Sequence, residues 1–468
     1  MPETFNKNKE SFRDRIATVD AEGKRNWIYA QKPKGKFYNI RTYVSWFFFV
    51  LFFSLPFITL NGRPLFLFNV LQAKFILFGK VFWPQDFFIF GIIMITFIVF
   101  IVLFTAAFGR LFCGWICPQT IFMEMLFRKV EYAIVGDAAK QKLLAKADWD
   151  LNKIVRVSVK HIIFYVLSFI IANYFLAYII GVKDLWSMIK SPSENVGTLA
   201  ALFIFSGVFY AVYAFFREQA CTVVCPYGRL QGVLLDKNSM IVAYDYKRGE
   251  ERKKYNKNED RTAGDCIDCF QCVKVCPTGI DIRNGTQMEC VGCTACIDAC
   301  DHIMESVGFK KGLIRYASEE GIANKEKLHY TRRMRMYTAL LILLTGLLTI
   351  LLVTRKDITA TIMRTPGLLY QEMGKDSVSN LYNIKVVNKT IHNIPLTIKI
   401  EDNIGTIQVA GKEVMVQSEG QGSGSFFVIL PKRLITERKT IVKLGLYQGN
   451  KKITDIKTSF LGPIFLNE

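Results

Sequence analysis

The stretch Cys266–Cys300, CIDCFQCVKVCPTGIDIRNGTQMECVGCTACIDAC, decides how this chain is read. Cys266, Cys269, Cys272 and Cys276 follow C-x2-C-x2-C-x3-C, and Pro277 comes next. Cys290, Cys293, Cys296 and Cys300 repeat the spacing. A C-x2-C-x2-C loop is tight enough to set three thiolates around one iron–sulfur cube, and in two-cluster sequences the fourth ligand crosses over from the other run. The spacing therefore assigns Cys266, Cys269, Cys272 and Cys300 to one [4Fe–4S] cluster. Cys290, Cys293, Cys296 and Cys276 go to a second. Zinc sites use separated C-x2-C pairs rather than triple runs. A disulfide framework needs an oxidising compartment, and the charge distribution places this segment elsewhere.

Outward from the cysteine runs, the chain is that of a membrane protein. It has 468 residues, is 51% hydrophobic and carries a net charge of +20. The apolar residues are gathered in long runs without charge. Five apolar runs are long enough to span: Ile40–Leu60, with only Arg41 charged at its edge, and the uncharged Phe87–Phe108, His161–Ile180, Thr198–Phe216 and Met336–Val353. The basic residues lie mostly beside these runs, which reads as an orientation signal and not as nucleic-acid binding. The first twenty residues, MPETFNKNKESFRDRIATVD, have no apolar core and are not read as a cleaved secretory signal.

The expected organisation is a cytoplasmic arm over 1–39, a four-helix membrane domain over 40–235, and a cytoplasmic ferredoxin domain over 236–335. A fifth transmembrane helix over 336–353 leads to a periplasmic domain over 354–468. Residues 1–41 hold ten Lys and Arg and 109–160 hold nine, against three in 61–86 and two in 181–197. That bias sets the ferredoxin region on the cytoplasmic side and the C-terminal region outside. The arm is read as flexible, 61–86 and 181–197 as loops, and 138–153 as one surface helix.

The C-terminal region has short β-prone runs at Asn383–Val387, Leu396–Ile400, Gly405–Val409, Glu413–Val416, Ser425–Leu430 and Thr440–Tyr447. Their spacing suggests an immunoglobulin-like β-sandwich without the internal disulfide, since the region has no cysteine. It shows no catalytic constellation and reads as a docking domain.

All 12 cysteines fall in motifs. The four outside the cluster runs are Cys113 and Cys117 in RLFCGWICPQT, and Cys221 and Cys225 in REQACTVVCPYGRL. Both read C-x3-C-P just past the end of a span. An i,i+4 pair on a helix shares one face, so four thiols from two helices could meet at the membrane edge. They could bind Cu(I) or cycle between dithiol and disulfide. Arg110 and Arg217 are read as matching membrane-edge charges. His161, His302, Met363 and Met373 are scattered and are not read as ligands.

The combination resembles the cytochrome c oxidase accessory proteins called CcoG, RdxA or FixG. The resemblance rests on NGRPLFLFN, FWPQDF, GRLFCGWICPQT, CTVVCPYGRLQ and the run from CIDCFQCVKVCP to GLIRYAS. It extends more weakly to NapH-type membrane ferredoxins. It implies a multi-pass inner-membrane iron–sulfur protein that reduces Cu(II) to Cu(I) for assembly of cbb3-type cytochrome c oxidase. The implied activity is that of a cupric reductase, with two [4Fe–4S] clusters as cofactors and copper as substrate. Cys113, Cys117, Cys221 and Cys225 are then the catalytic and copper candidates. The implied partners are a cytoplasmic or quinone-linked electron donor, oxidase assembly factors or copper chaperones, and membrane lipid. A homodimer is compatible with this reading. Two alternatives stay open: an electron relay between the quinol pool and a membrane or periplasmic partner, and a non-enzymatic assembly scaffold.

Overall fold

The computed structural model describes residues 18–19, 22–70, 74–83, 86–192, 196–257, 262–326, 329–367, 369–374, 376–390, 392–401, 404–410, 414–435, 437–449 and 451–463. The chain forms two compact units, Met1–Lys80 with Pro84–Leu348, and Val81–Trp83 with Thr349–Glu468.

Among the described residues, five helices are long and apolar enough to cross a membrane: Lys36–Phe57, Phe87–Phe108, Leu151–Ile180, Val196–Phe216 and Arg332–Val353. The second leaves Phe87, Phe88, Phe97 and Ile98 exposed, a surface that suits lipid and not water. An aromatic core joins the first, third and fourth. Phe127 stacks on Tyr213 at 4.3 Å between ring centroids and meets Phe164 edge-on at 5.0 Å.

The third span begins earlier than the apolar run implies. The helix Ala138–Lys146 ends, and Asp150 starts a new one by accepting a 2.8 Å hydrogen bond from the Lys153 backbone N–H. Such a side-chain acceptor satisfies an N–H that a helix start otherwise leaves open. The single surface helix expected over 138–153 is therefore two helices, and the second runs on for 30 residues as Leu151–Ile180. At 1.5 Å per residue it is about 45 Å long, more than a bilayer core requires.

The expected loops also hold structure. Phe66–Asn69 and Lys74–Leu77 pair as antiparallel strands, and Val182–Lys190 is a helix. The described part of the N-terminal arm is held in place. The Gln31 N–H donates to the Lys274 carbonyl, the Lys32 N–H to the Asp137 carboxylate (both 2.8 Å), and Arg25 pairs with Glu218 at 3.0 Å.

The cysteine-rich region is a small two-stranded sheet with two helices. Ile241–Tyr244 pairs with Ile314–Ala317, and the helices Gln271–Lys274 and Ala295–Ser306 each begin inside a cysteine run.

The second unit is an immunoglobulin-like sandwich. One sheet orders Thr406–Ala410, Gln421–Pro431, Ser377–Asn388 and Ile358–Arg364, with Gln371–Met373 on Ser377–Asn388. The other orders Val414–Val416, Ile394–Ile400, Lys439–Gln448 and Lys451–Leu461. Alternating residues of both sheets, among them Tyr382, Val428, Leu430, Val442 and Phe460, are fully buried between them. The buried Tyr382 hydroxyl donates to the Ser459 carbonyl of the opposite sheet at 2.9 Å.

Candidate metal centres

The two cysteine runs share one backbone recipe. Two residues past each first cysteine, Asp268 and Gly292 have φ of 54° and 67°, and four residues past it, Phe270 and Thr294 have 58° and 63°. Such alternation of left- and right-handed residues curls a loop and turns its N–H groups inward, which suits an anion. Each helix then starts at the next residue with its N-terminus toward the loop.

The runs line two cavities. Cys266, Cys269, Cys272 and Cys300 line one of them. Cys276, Cys290, Cys293 and Cys296 line the other, together with Cys272. The first cavity thus takes three cysteines from the first run and one from the second, and the other takes three from the second run and two from the first. Burial pushes the Cys272 thiol up to about 12 and the Cys293 thiol up to about 11. Iron ligation there would release the thiol protons. The cavities, thiols and inward loops together fit [4Fe–4S] clusters. Where a proline follows Cys276, Asp301 follows Cys300, and its carboxylate accepts from the Gly312 N–H at 2.8 Å.

The two C-x3-C-P motifs share a second recipe. Span two ends at Gly109 with φ 56° and ψ −125°, and span four ends at Arg217 with φ 50° and ψ −120°. Four residues on stand Cys113 and Cys221. Four more bring Cys117 and Cys225, each capping a new helix that opens with proline. Proline suits the first helical position, where its missing N–H has no partner to lose. The pairs are therefore not on one continuous helical face, as i,i+4 spacing implies, but straddle a break. The register also differs from the expected match of Arg110 with Arg217. Gly109 corresponds to Arg217, and Arg110 to Glu218.

The four thiols come together. Cys221 lies within charge range of Cys117, Cys113 and Cys225, and Cys113 within range of Cys117 and Cys225. Burial, reinforced by these neighbours, pushes Cys113 and Cys221 up to about 12. The Cys113 thiol donates to the Gln231 side-chain oxygen at 3.1 Å. Gln231 is fully buried on the helix that follows Cys225, and the Thr120 hydroxyl faces Cys221.

This thiol group abuts the second cluster loop. Gly114 packs so close to the Gly292 carbonyl that a Cβ there would lie 2.4 Å from its oxygen. Arg41 donates to the Gly114 and Cys293 carbonyls, both at 3.0 Å. Arg110 donates to the Met288 carbonyl, to the Cys290 carbonyl at 3.0 Å and to the Gly228 carbonyl at 3.2 Å. One guanidinium so joins the cluster loop to the helix after Cys225.

Sequence reasoning missed a buried ion network beside this group. Arg217 pairs with Glu131 at 2.6 Å, Lys160 with Glu131 at 3.6 Å, and Arg128 with Glu218 at 3.7 Å and Glu124 at 3.3 Å. The Arg217 and Arg25 guanidiniums lie 4.9 and 4.3 Å from the Trp27 ring. Glu218, one residue past a span end, was the available signal. Outside this network, His161 contacts the Tyr210 hydroxyl at 2.8 Å.

Comparison with known proteins agrees with this architecture. Residues 216–319 match the family described as a 4Fe-4S dicluster domain, and residues 90–135 match a 4Fe-4S binding domain. Residues 348–463 match the IG-like fold at the C-terminal of FixG. Protein RdxA of Cereibacter sphaeroides is 31% identical over 78% of this chain and 80% of its own length. The chain belongs to the FixG/RdxA family. RdxB of the same organism is 30% identical over 80% of this chain and 81% of its own. Nitrogen fixation protein FixG of Rhizobium meliloti is 34% identical over 63% of this chain, a match that spans 58% of the FixG protein's length. The chain is an iron–sulfur electron-transfer protein of this family, with helices long and apolar enough to cross a membrane. Ferredoxin-type protein NapH of Escherichia coli is a more distant relative, 25% identical over 43% of this chain.

Proposed function

We propose that this protein is a membrane-bound cupric reductase. It takes single electrons from a reduced donor and delivers them to Cu(II), which becomes Cu(I). The juxtaposition of four thiols with the second cluster loop carries this reading. Cys266, Cys269, Cys272 and Cys300 would hold one [4Fe–4S] cluster, and Cys290, Cys293, Cys296 and Cys276 the other. Bound there, the clusters supply one-electron storage and transfer. Arg110 and Arg41 hold the second cysteine run against the thiol motifs, which makes Cys113, Cys117, Cys221 and Cys225 the exit of the electron path. Burial excludes water from this contact and keeps the charged side chains fixed.

The lysine and arginine bias puts the cysteine region on the cytoplasmic side of an inner membrane and the immunoglobulin-like domain in the periplasm. That arrangement suits a cytoplasmic or quinone-linked donor, and Cu(I) delivered to chaperones or assembly factors of a cbb3-type oxidase. The test is anaerobic reduction of Cu(II) by dithionite-reduced protein, read with a Cu(I)-specific chelator. Cu(I) formation at an unchanged rate after replacement of all four exit cysteines by serine would sink the proposal. Reoxidation by quinone and not by Cu(II) would make the protein a quinone-linked relay.

A further inference from the structure

We propose that Cys113, Cys117, Cys221 and Cys225 hold a third [4Fe–4S] cluster. This deepens the proposed exit site and rests on the meeting of the four cysteines, not on copper as the acceptor.

The first argument is a count of ligands. The chain has 12 cysteines, and eight of them line the two ferredoxin cavities. The remaining four are one more set of four thiolates. The match to a 4Fe-4S binding domain over 90–135 contains just Cys113 and Cys117, two ligands short of a cube. The dicluster match over 216–319 contains ten cysteines, two more than two cubes use. The surplus pair, Cys221 and Cys225, is the pair that the structure brings to Cys113 and Cys117.

The second argument is geometric. Four cysteine sulfurs are a ligand set that iron–sulfur centres take, as zinc and Cu(I) do. The matched caps at Gly109 and Arg217 present the two pairs from equivalent positions, as two halves of one cage.

The third argument is the polar lining. Gln231 is fully buried, and its side-chain N–H₂, which faces the Tyr227 hydroxyl, makes no hydrogen bond of good geometry among the described residues. The Gln119 N–H₂, two residues after Cys117, is likewise buried without a partner among them. Buried donors without acceptors are costly, and sulfide or thiolate beside them would accept. Such bonds to sulfur also raise a cluster's potential, which suits the last carrier before an acceptor.

The test is iron and acid-labile sulfide per chain in protein purified anaerobically, for the native sequence, C113S/C117S and C221S/C225S. Each double variant is expected to lose about four iron and four sulfide, because neither motif alone completes a cube. Retention of the other eight iron, with their absorption and EPR spectra, reports that the variant is folded. Equal iron in all three proteins overturns the proposal. So does zinc or copper on these thiols in place of iron. A Gln231→Leu variant that keeps its iron is expected to lower the potential of the third centre alone. No change in any potential would remove Gln231 from the site.

Discussion

The Arg110 side chain donates a 3.0 Å hydrogen bond to the backbone carbonyl of Cys290. Through its other terminal nitrogen it reaches Gly228 at 3.2 Å, so the second cysteine run and the second thiol motif share one guanidinium. Hydrogen bonds from a charged donor contribute about 1.5–3 kcal/mol each. Arg110→Ala is expected to slow electron exit to Cu(II) at least about tenfold, the equivalent of ~1.4 kcal/mol. The iron content should be unchanged. Arg110→Lys keeps the charge but not the planar fork, and should recover part of the rate. Single-turnover reoxidation of the reduced visible spectrum measures both.

The ion network should be felt in stability. Burial alone would push the Glu131 carboxyl up, but Arg217, Lys160 and Arg128 outweigh it and hold it below its usual range. A carboxylate lowered in this way stabilises fully above its unfolded value, about 4.3. That contribution is lost as pH falls through the lower folded value. The thermal midpoint in detergent should therefore stay flat for this group from pH 7 to about 5 and fall only in stronger acid. Glu131→Gln leaves Arg217 without its 2.6 Å partner. Breaking a buried pair on one side costs about 3–5 kcal/mol, and a melt at neutral pH should show it.

The crossed cavities make a prediction about single ligands. Cys300 lines the cavity of Cys266, Cys269 and Cys272, and Cys276 that of Cys290, Cys293 and Cys296. Cys300→Ser should perturb the cluster held by the first run, although Cys300 lies in the second. Cys276→Ser should do the reverse. Potentiometric EPR separates them, because each variant should shift or lose a different signal.

Gly114 tests the contact itself. A Cβ there would lie 2.4 Å from the Gly292 oxygen, and both partners are backbone. Gly114→Ala should therefore destabilise by about 1–3 kcal/mol, the usual range for overpacking, and slow electron exit. Gly91, in the second span, has nothing within 4 Å of its Cβ position. Gly91→Ala should leave both the melting midpoint and the exit rate near the native values.

Much of the fold was legible because its signals are strong and local. Five long apolar runs mark five spans, and alternation marks most strands of the sandwich. Less legible were features set by contacts distant in sequence. The break at Asp150 depends on one side chain capping a backbone N–H inside a polar stretch. The strand Lys451–Leu461 passes unnoticed because charged residues interrupt it, and Ile358–Arg364 because it follows directly on the fifth span; pairing defines both. The N-terminal arm looks like a tail until Lys274, Asp137 and Glu218 supply its partners. At the site, cysteine spacing named every thiol. It gave no sign of Gln231, Arg41 or the Glu131 network, whose roles arise from packing between segments.

The most direct test is anaerobic single turnover. Dithionite-reduced protein, freed of excess reductant, is mixed with Cu(II) and a Cu(I) chelator, and cluster reoxidation and Cu(I) are followed together. The native protein should form one Cu(I) for each electron its clusters lose. The variant with Cys113, Cys117, Cys221 and Cys225 all replaced by serine should keep its ferredoxin clusters reduced and form little Cu(I). Reoxidation and Cu(I) formation at the native rate in that variant would contradict the account.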